Sequence, residues 1–157
     1  QAMLKALGAN GGVIMINFGS GFVSPQARQW WDRLVALREQ WAVEFGQTSP
    51  ETLALEAEYR QTNPYPFADL ETVLDHIDLV KATIGAEHIG IGSDFDGVGN
   101  TLPTQLKDVS TYPNLIQGLL DRGYSENEIT GILGLNLLRV WEQVEQLAKP
   151  VAKTVSD

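Results

Sequence analysis

Apolar residues recur along this chain with two different periods, and the changes of period mark out its elements. Val13-Ile14-Met15-Ile16-Asn17-Phe18 is an almost unbroken apolar run, the pattern of a strand buried on both faces. Gly11-Gly12 punctuates its start and Gly19-Ser20-Gly21 its end. Trp30, Leu34, Leu37, Trp41 and Phe45 then recur three and four residues apart, which predicts a helix over residues 28–45. Ser49-Pro50 offers an N-cap and a proline at the first helical position, so a second helix is expected to about Arg60, ended by Asn63-Pro64-Tyr65-Pro66. Together they predict a helical hairpin over 28–60. Its tryptophans are expected to pack within the hairpin rather than to form a ligand platform.

Asp69 can cap the next helix, whose apolar stripe is Leu70, Val73, Leu74, Ile77, Val80 and Ile84, with Gly85 as its stop. A second strand, His88 to Ser93, follows at once. A long loop leads through Asp108-Val109-Ser110 to a short helix near Pro113–Arg122. Ser125 and Glu128 have the spacing of a capping box, and Ile129, Leu133, Leu137, Val140, Val144 and Leu147 predict one final helix over 125–147. The tail Pro150–Asp157 carries no signal.

Strands separated by helices imply parallel βα units. Val13–Phe18 and His88–Ser93 are therefore expected to be parallel neighbours, despite the helices between them. Two parallel strands alone would expose both edges. The chain also opens on Gln1-Ala2-Met3-Leu4-Lys5-Ala6-Leu7, a helical pattern without a capping residue before it. Both features lead to the expectation that this is a piece of a longer protein.

Composition narrows the chemistry. With no cysteine there is no disulfide, thiolate metal site or cysteine nucleophile. The two histidines, His76 and His88, are too few for a histidine-rich metal site. A formal charge of −9 argues against nucleic acid, since nothing here would neutralise a row of phosphates. No apolar run is long enough to cross a bilayer, and the compartment stays open.

The strongest chemical candidate lies in Gly90-Ile91-Gly92-Ser93-Asp94-Phe95-Asp96-Gly97. If side chains alternate along the strand, Ile89 and Ile91 face covering helices, while Gly90, Gly92 and Asp94 face the other way. The glycines would leave space below a carboxylate at the strand's C-terminal end. That end is the active-site mouth of an α/β barrel, where an acid can serve as a general base or bind a metal or an ammonium group. The alternative is that Asp94 only caps the following turn. Asp96, followed by Gly97, reads as a turn residue. His76 and His88 read as structural histidines, and Asn136 as a buried amide that ties down loop backbone. Gly19-Ser20-Gly21 is too short to identify a phosphate cradle.

On these residues the chain resembles a known family. DHIDLVKATIGAEHIGIGSDFDGV and LKDVSTYPNLIQGLLDRGYSENEITGILGLNLLRVWEQVE are similar to the last third of the membrane (renal) dipeptidases. GIGSDFDG and LKDVS are the distinctive pieces, the likeness covers roughly residues 67–147, and VIMINF extends it toward the start. The hairpin is similar to an insertion in bacterial members. The resemblance implies an α/β fold, the C-terminal portion of a (β/α)8 barrel, and a zinc-dependent hydrolysis of dipeptides by a metal-activated water. It implies two zinc ions in the complete enzyme. Asp94 would be the acid that contacts the metal-bound water and the substrate's amino group and shuttles a proton, and Phe22 would line the substrate pocket. The family's zinc ligands, a pocket histidine and a carboxylate-binding arginine would all lie before Gln1. The metal site is therefore not expected in this chain, its partner being the missing N-terminal part of the barrel, and the chain alone is not expected to catalyse. Homodimer formation is a further family-level expectation. Two competing readings remain: a related barrel amidohydrolase acting on another amide or ester, and a non-catalytic binding or structural module with Asp94 as a turn cap.

Overall fold

The computed structural model describes residues 1–148. The tail Pro150–Asp157, read above as carrying no signal, lies outside the described residues. The chain is mixed α/β and rich in helix. Its contacts group it into two compact units, residues 1–16, 76–92 and 119–148, and residues 17–75 and 93–118.

Among the described residues the two strands, β1 (Ile14–Asn17) and β2 (Ile89–Ser93), form a two-stranded sheet. They run in step, as parallel neighbours do. His88 Nδ1 lies 2.7 Å from the Gly12 carbonyl oxygen, and a side chain at Gly90 would fall between Val13 and Met15. The expected adjacency is thus present. The expected burial on both faces is not: Ile16 is buried, whereas Met15 and Asn17 are exposed. Nor is the space over Gly90 empty. A Cβ there would meet Met15 Sδ at 2.5 Å, because parallel partners share a face and the unbranched methionine fills the gap.

In the first unit, α1 (Ala2–Ala9) precedes β1. Helix α5 (Leu70–Ile84) ends where Gly85 adopts φ 99°, a left-handed conformation that glycine takes without a Cβ clash. Ile77, Val80, Ile89, Leu119, Ile129 and Ile132 are buried. Asp78 accepts hydrogen bonds from Arg122 at 2.5 Å and from the Tyr124 hydroxyl at 2.7 Å. Lys81 sits 3.8 Å from the Tyr124 ring centroid and pairs with Glu128 at 2.7 Å. The Ser125–Glu128 capping box forms as its spacing predicts.

The single helix expected over 125–147 is instead interrupted. After α6 (Tyr112–Asp121), α7 (Glu126–Thr130) passes into a wide turn over Gly131–Leu135 before α8 (Asn136–Leu147). The break is at Gly134, whose φ of 165° and ψ of −31° are not helical. The turn changes the register of the stripe. Ile129 and Ile132 are buried, while Leu133, Leu137, Val144 and Leu147 are exposed. Asn136 is buried as expected, and its amide donates to the carbonyls of Ala86 at 2.9 Å and Ile89 at 2.8 Å.

In the second unit, a four-residue helix α2 (Ser20–Val23) leads to α3 (Pro25–Phe45) and α4 (Pro50–Thr62). α3 starts three residues before the predicted point, since Ser24-Pro25 repeats the N-cap and proline signal used at Ser49-Pro50. Ser24 accepts from the Ala27 amide and Ser49 from the Thr52 amide. Thr52 is buried and donates to the Gly46 carbonyl, fastening the hairpin. Trp30 packs inside it, with its indole N–H on the Asn63 carbonyl at 2.8 Å and its ring against Tyr59 and Tyr65. Asp69 caps as expected, accepting from the Thr72 amide and hydroxyl, which lowers its pKa.

Candidate active site

The strand β2 ends in an unusual turn. Ser93 has φ 49° and Asp94 φ 69°, two consecutive non-glycine residues in the left-handed region. Aspartate tolerates that region better than most residues, but each such conformation still costs on the order of 1–3 kcal/mol. The surroundings hold them there. The Ser93 carbonyl accepts from the Phe18 amide at 3.1 Å. The Ser93 and Tyr112 hydroxyls are hydrogen-bonded to each other. Phe95 packs on Phe18 and Tyr112 with ring centroids 5.9 and 5.5 Å away, and Phe18 itself is fully buried. Both neighbours of Asp94 are thereby anchored in an aromatic cluster.

Asp94 itself is half-buried. Because the left-handed turn interrupts the pleat, strand alternation does not set the direction of its side chain, contrary to the sequence argument. The turn is closed by backbone, the Gly97 amide donating to the Asp94 carbonyl at 3.2 Å. No donor engages the carboxylate among the described residues, so the carboxylate is not spent on capping. It lies over Gly97: a Cβ built there would be 2.1 Å from Asp94 Oδ1, and the three atoms nearest to it all belong to the Asp94 carboxylate. Asp96 is exposed on the same turn.

Gly97 is also part of the wall of a cavity of about 300 Å³ in the same unit. Phe22, Trp31 and Tyr65 line it, and Phe22 and Trp31 remain 60% and 41% exposed. Arg28, paired with Asp32 at 3.0 Å, stands beside them. Burial pushes the Tyr65 phenol above its usual pKa, with a hydrogen bond to the Gly21 backbone acting the other way, so its hydroxyl is neutral at physiological pH. Asp94 and Phe22 therefore belong to one unit, Phe22 on the cavity and Asp94 beside its Gly97 wall.

The other candidates have structural surroundings. His88 is buried with its ring on the Gly12 carbonyl, and His76 is half-buried on α5. Ser20 is fully buried, its hydroxyl accepting from the Ala68 amide and its own amide donating to Thr101, so Gly19-Ser20-Gly21 is a packed helix start. No group of three or more His, Cys, Asp and Glu side chains that could hold a metal ion exists among the described residues. The residues present do not fit a zinc site.

Sequence reasoning missed Trp31, Arg28 and Tyr65. A signal existed for the first: Trp31 falls off the stripe of Trp30, Leu34, Leu37 and Trp41, so the hairpin had no interior place for it. In the sequence Tyr65 stands only within a proline-rich helix stop, Asn63-Pro64-Tyr65-Pro66.

Residues 1–155 match the profile of the family described as "Membrane dipeptidase (Peptidase family M19)". The chain is 54% identical over 81 residues to "Dipeptidase 3" of Mus musculus, a match covering 52% of this chain and 16% of that protein. It is 46% identical over 103 residues to "Dipeptidase aclJ" of Aspergillus oryzae, covering 66% of this chain and 24% of the relative. Among solved structures it is similar to the probable dipeptidase PvdM from Pseudomonas aeruginosa, with a TM-score of 0.70, 28% sequence identity, and coverage of 92% of this chain and 40% of that one. The matches thus span well under half the length of these relatives.

Proposed function

Because this chain belongs to the membrane dipeptidase family, a family of metallopeptidases, we propose that it is the C-terminal portion of a zinc-dependent dipeptidase with a (β/α)8 barrel. In this reading the zinc ligands come from outside the described residues, two ions being bound in the complete enzyme. The chain itself supplies an acid/base carboxylate and part of the substrate pocket. Peptide hydrolysis requires a proton to leave the attacking water and another to reach the departing amine. A single carboxylate can accept the first and return it to the nitrogen. Asp94 takes this role, and its anionic form also attracts the substrate's free ammonium group. Phe22 covers the substrate from one side.

One observation carries the reading: a carboxylate with no hydrogen-bond donor on it among the described residues, held by two left-handed residues at the C-terminal end of a strand. An aspartate serving only as a turn cap would have its oxygens on backbone N–H groups. The test is Asp94→Asn in the full-length enzyme. Asparagine keeps the size and the turn preference but cannot take a proton, so kcat on a simple dipeptide should fall on the order of 10²–10⁴-fold, about 3–5 kcal/mol, with zinc content and thermal unfolding unchanged. A rate near that of the parent enzyme would remove the proposed role.

A further inference from the structure

We infer that the cavity walled by Phe22 and Trp31 is a side-chain subsite that makes this enzyme favour dipeptides carrying an aromatic residue. The inference rests on the dipeptidase reading and deepens it by naming a substrate class. The size fits: a closed apolar cavity of roughly 150 Å³ already accepts a benzene ring, and this one, at about 300 Å³, has room for a benzyl or phenol side chain with part of the backbone attached. Its chemistry fits as well. Two large rings stay substantially exposed on it, and aromatic partners prefer offset or edge-on packing that such walls provide. Of the glycines in the wall, Gly21 leaves its backbone open between the rings, a Cβ there meeting the Tyr65 hydroxyl only at 3.7 Å, so a planar group can approach closely at that point. The Arg28 charge is balanced by Asp32, so the site is not built for an anionic side chain. The neutral Tyr65 hydroxyl can donate to a phenolic oxygen or a backbone carbonyl.

Position makes this a substrate site rather than a remote pocket. The wall residue Gly97 is the one over which the Asp94 carboxylate lies, so a side chain in the cavity would leave its own backbone beside the reacting acid. Trp31 is contributed by α3, part of the hairpin, and this gives the hairpin a role in selecting substrate.

The experiment uses the full-length enzyme and four dipeptides: Phe-Gly, Ala-Gly, Gly-Phe and Gly-Ala. The parent enzyme should prefer phenylalanine over alanine in one of the two positions. Trp31→Ala should lower that preference in kcat/KM by roughly tenfold, mainly through KM, the range typical of losing pocket contacts. Trp31→Phe should keep most of it. Trp31→Leu repeats the test with helix packing retained, should the alanine variant be poorly folded. If the enzyme cleaves dipeptides with no aromatic preference, or if the preference survives both Trp31→Ala and Trp31→Leu, the subsite is refuted and the dipeptidase reading stands. If none of the four is cleaved, both fall.

Discussion

Gly97→Ala should damage catalysis while leaving the fold intact, and the structure says by how much. A methyl group at position 97 would sit 2.1 Å from Asp94 Oδ1, and its three nearest neighbours would all be atoms of the Asp94 carboxylate. Relieving that contact to ordinary van der Waals distance requires the carboxylate to move by roughly 1 Å or more. Gly97 is not among the left-handed glycines, so alanine suits its backbone, and such replacements commonly stabilise by about 0.4–1 kcal/mol through the unfolded chain. Misplacing a reacting group by about 1 Å can cost on the order of 10²-fold in rate. The expected result is a kcat lower by about that factor, with an unfolding temperature equal to or above the parent's. Steady-state kinetics on a simple dipeptide and a thermal melt would measure both. On an Asp94→Asn background, Gly97→Ala should add little further loss, because both changes act through one group. A Gly97→Ala enzyme with nearly the parent kcat would refute the reasoning, since it would mean that the position of the Asp94 carboxylate is immaterial.

Two further outcomes concern stability. Asn136→Ala should destabilise by about 2–4 kcal/mol in urea unfolding, since it leaves the carbonyls of Ala86 and Ile89 without their donor inside the core. The Lys81 ammonium and the Ser125 backbone lower the Glu128 pKa from its ordinary 4.5. A depressed carboxylate stabilises the fold above its unfolded pKa and loses that contribution as pH falls through the folded value. Below about pH 4.5 the parent should therefore lose stability faster than Glu128→Gln, by a small and salt-sensitive margin because the pair is partly exposed.

Much of the local structure was legible because its signals are local. Ser49-Pro50, Asp69 and Ser125 with Glu128 mark helix starts by side-chain oxygens within three residues of the amides they cap, and all three form. Gly85 marks a helix end by the φ it must adopt. The interruption at Gly134 was missed because the apolar periodicity continues across it, and only contacts distant in sequence decide which turn is buried. Asn136 shows this, as its partners lie some fifty residues earlier. Trp31 was passed over because a periodicity argument gives weight to residues on the stripe and none to those beside it.

The site shows the same division more sharply. In the sequence, Ser93-Asp94-Phe95-Asp96-Gly97 supports a turn and a reactive acid equally well, because aspartate and glycine serve both. What separates the two is where the hydrogen bonds go. The turn closes through the Gly97 amide and the Asp94 carbonyl, so the carboxylate is not needed to make it. The left-handed pair opposes folding by about 2–6 kcal/mol in total, and the Phe18, Phe95 and Tyr112 rings with the Ser93–Tyr112 hydrogen bond offset it. A turn whose only task was to reverse the chain could place glycine at either left-handed position and avoid that cost. Serine and aspartate there make sense if the side chains themselves are used: Ser93 to lock the turn onto Tyr112, and Asp94 to present, beside the aromatic cavity, a carboxylate that no donor among the described residues engages.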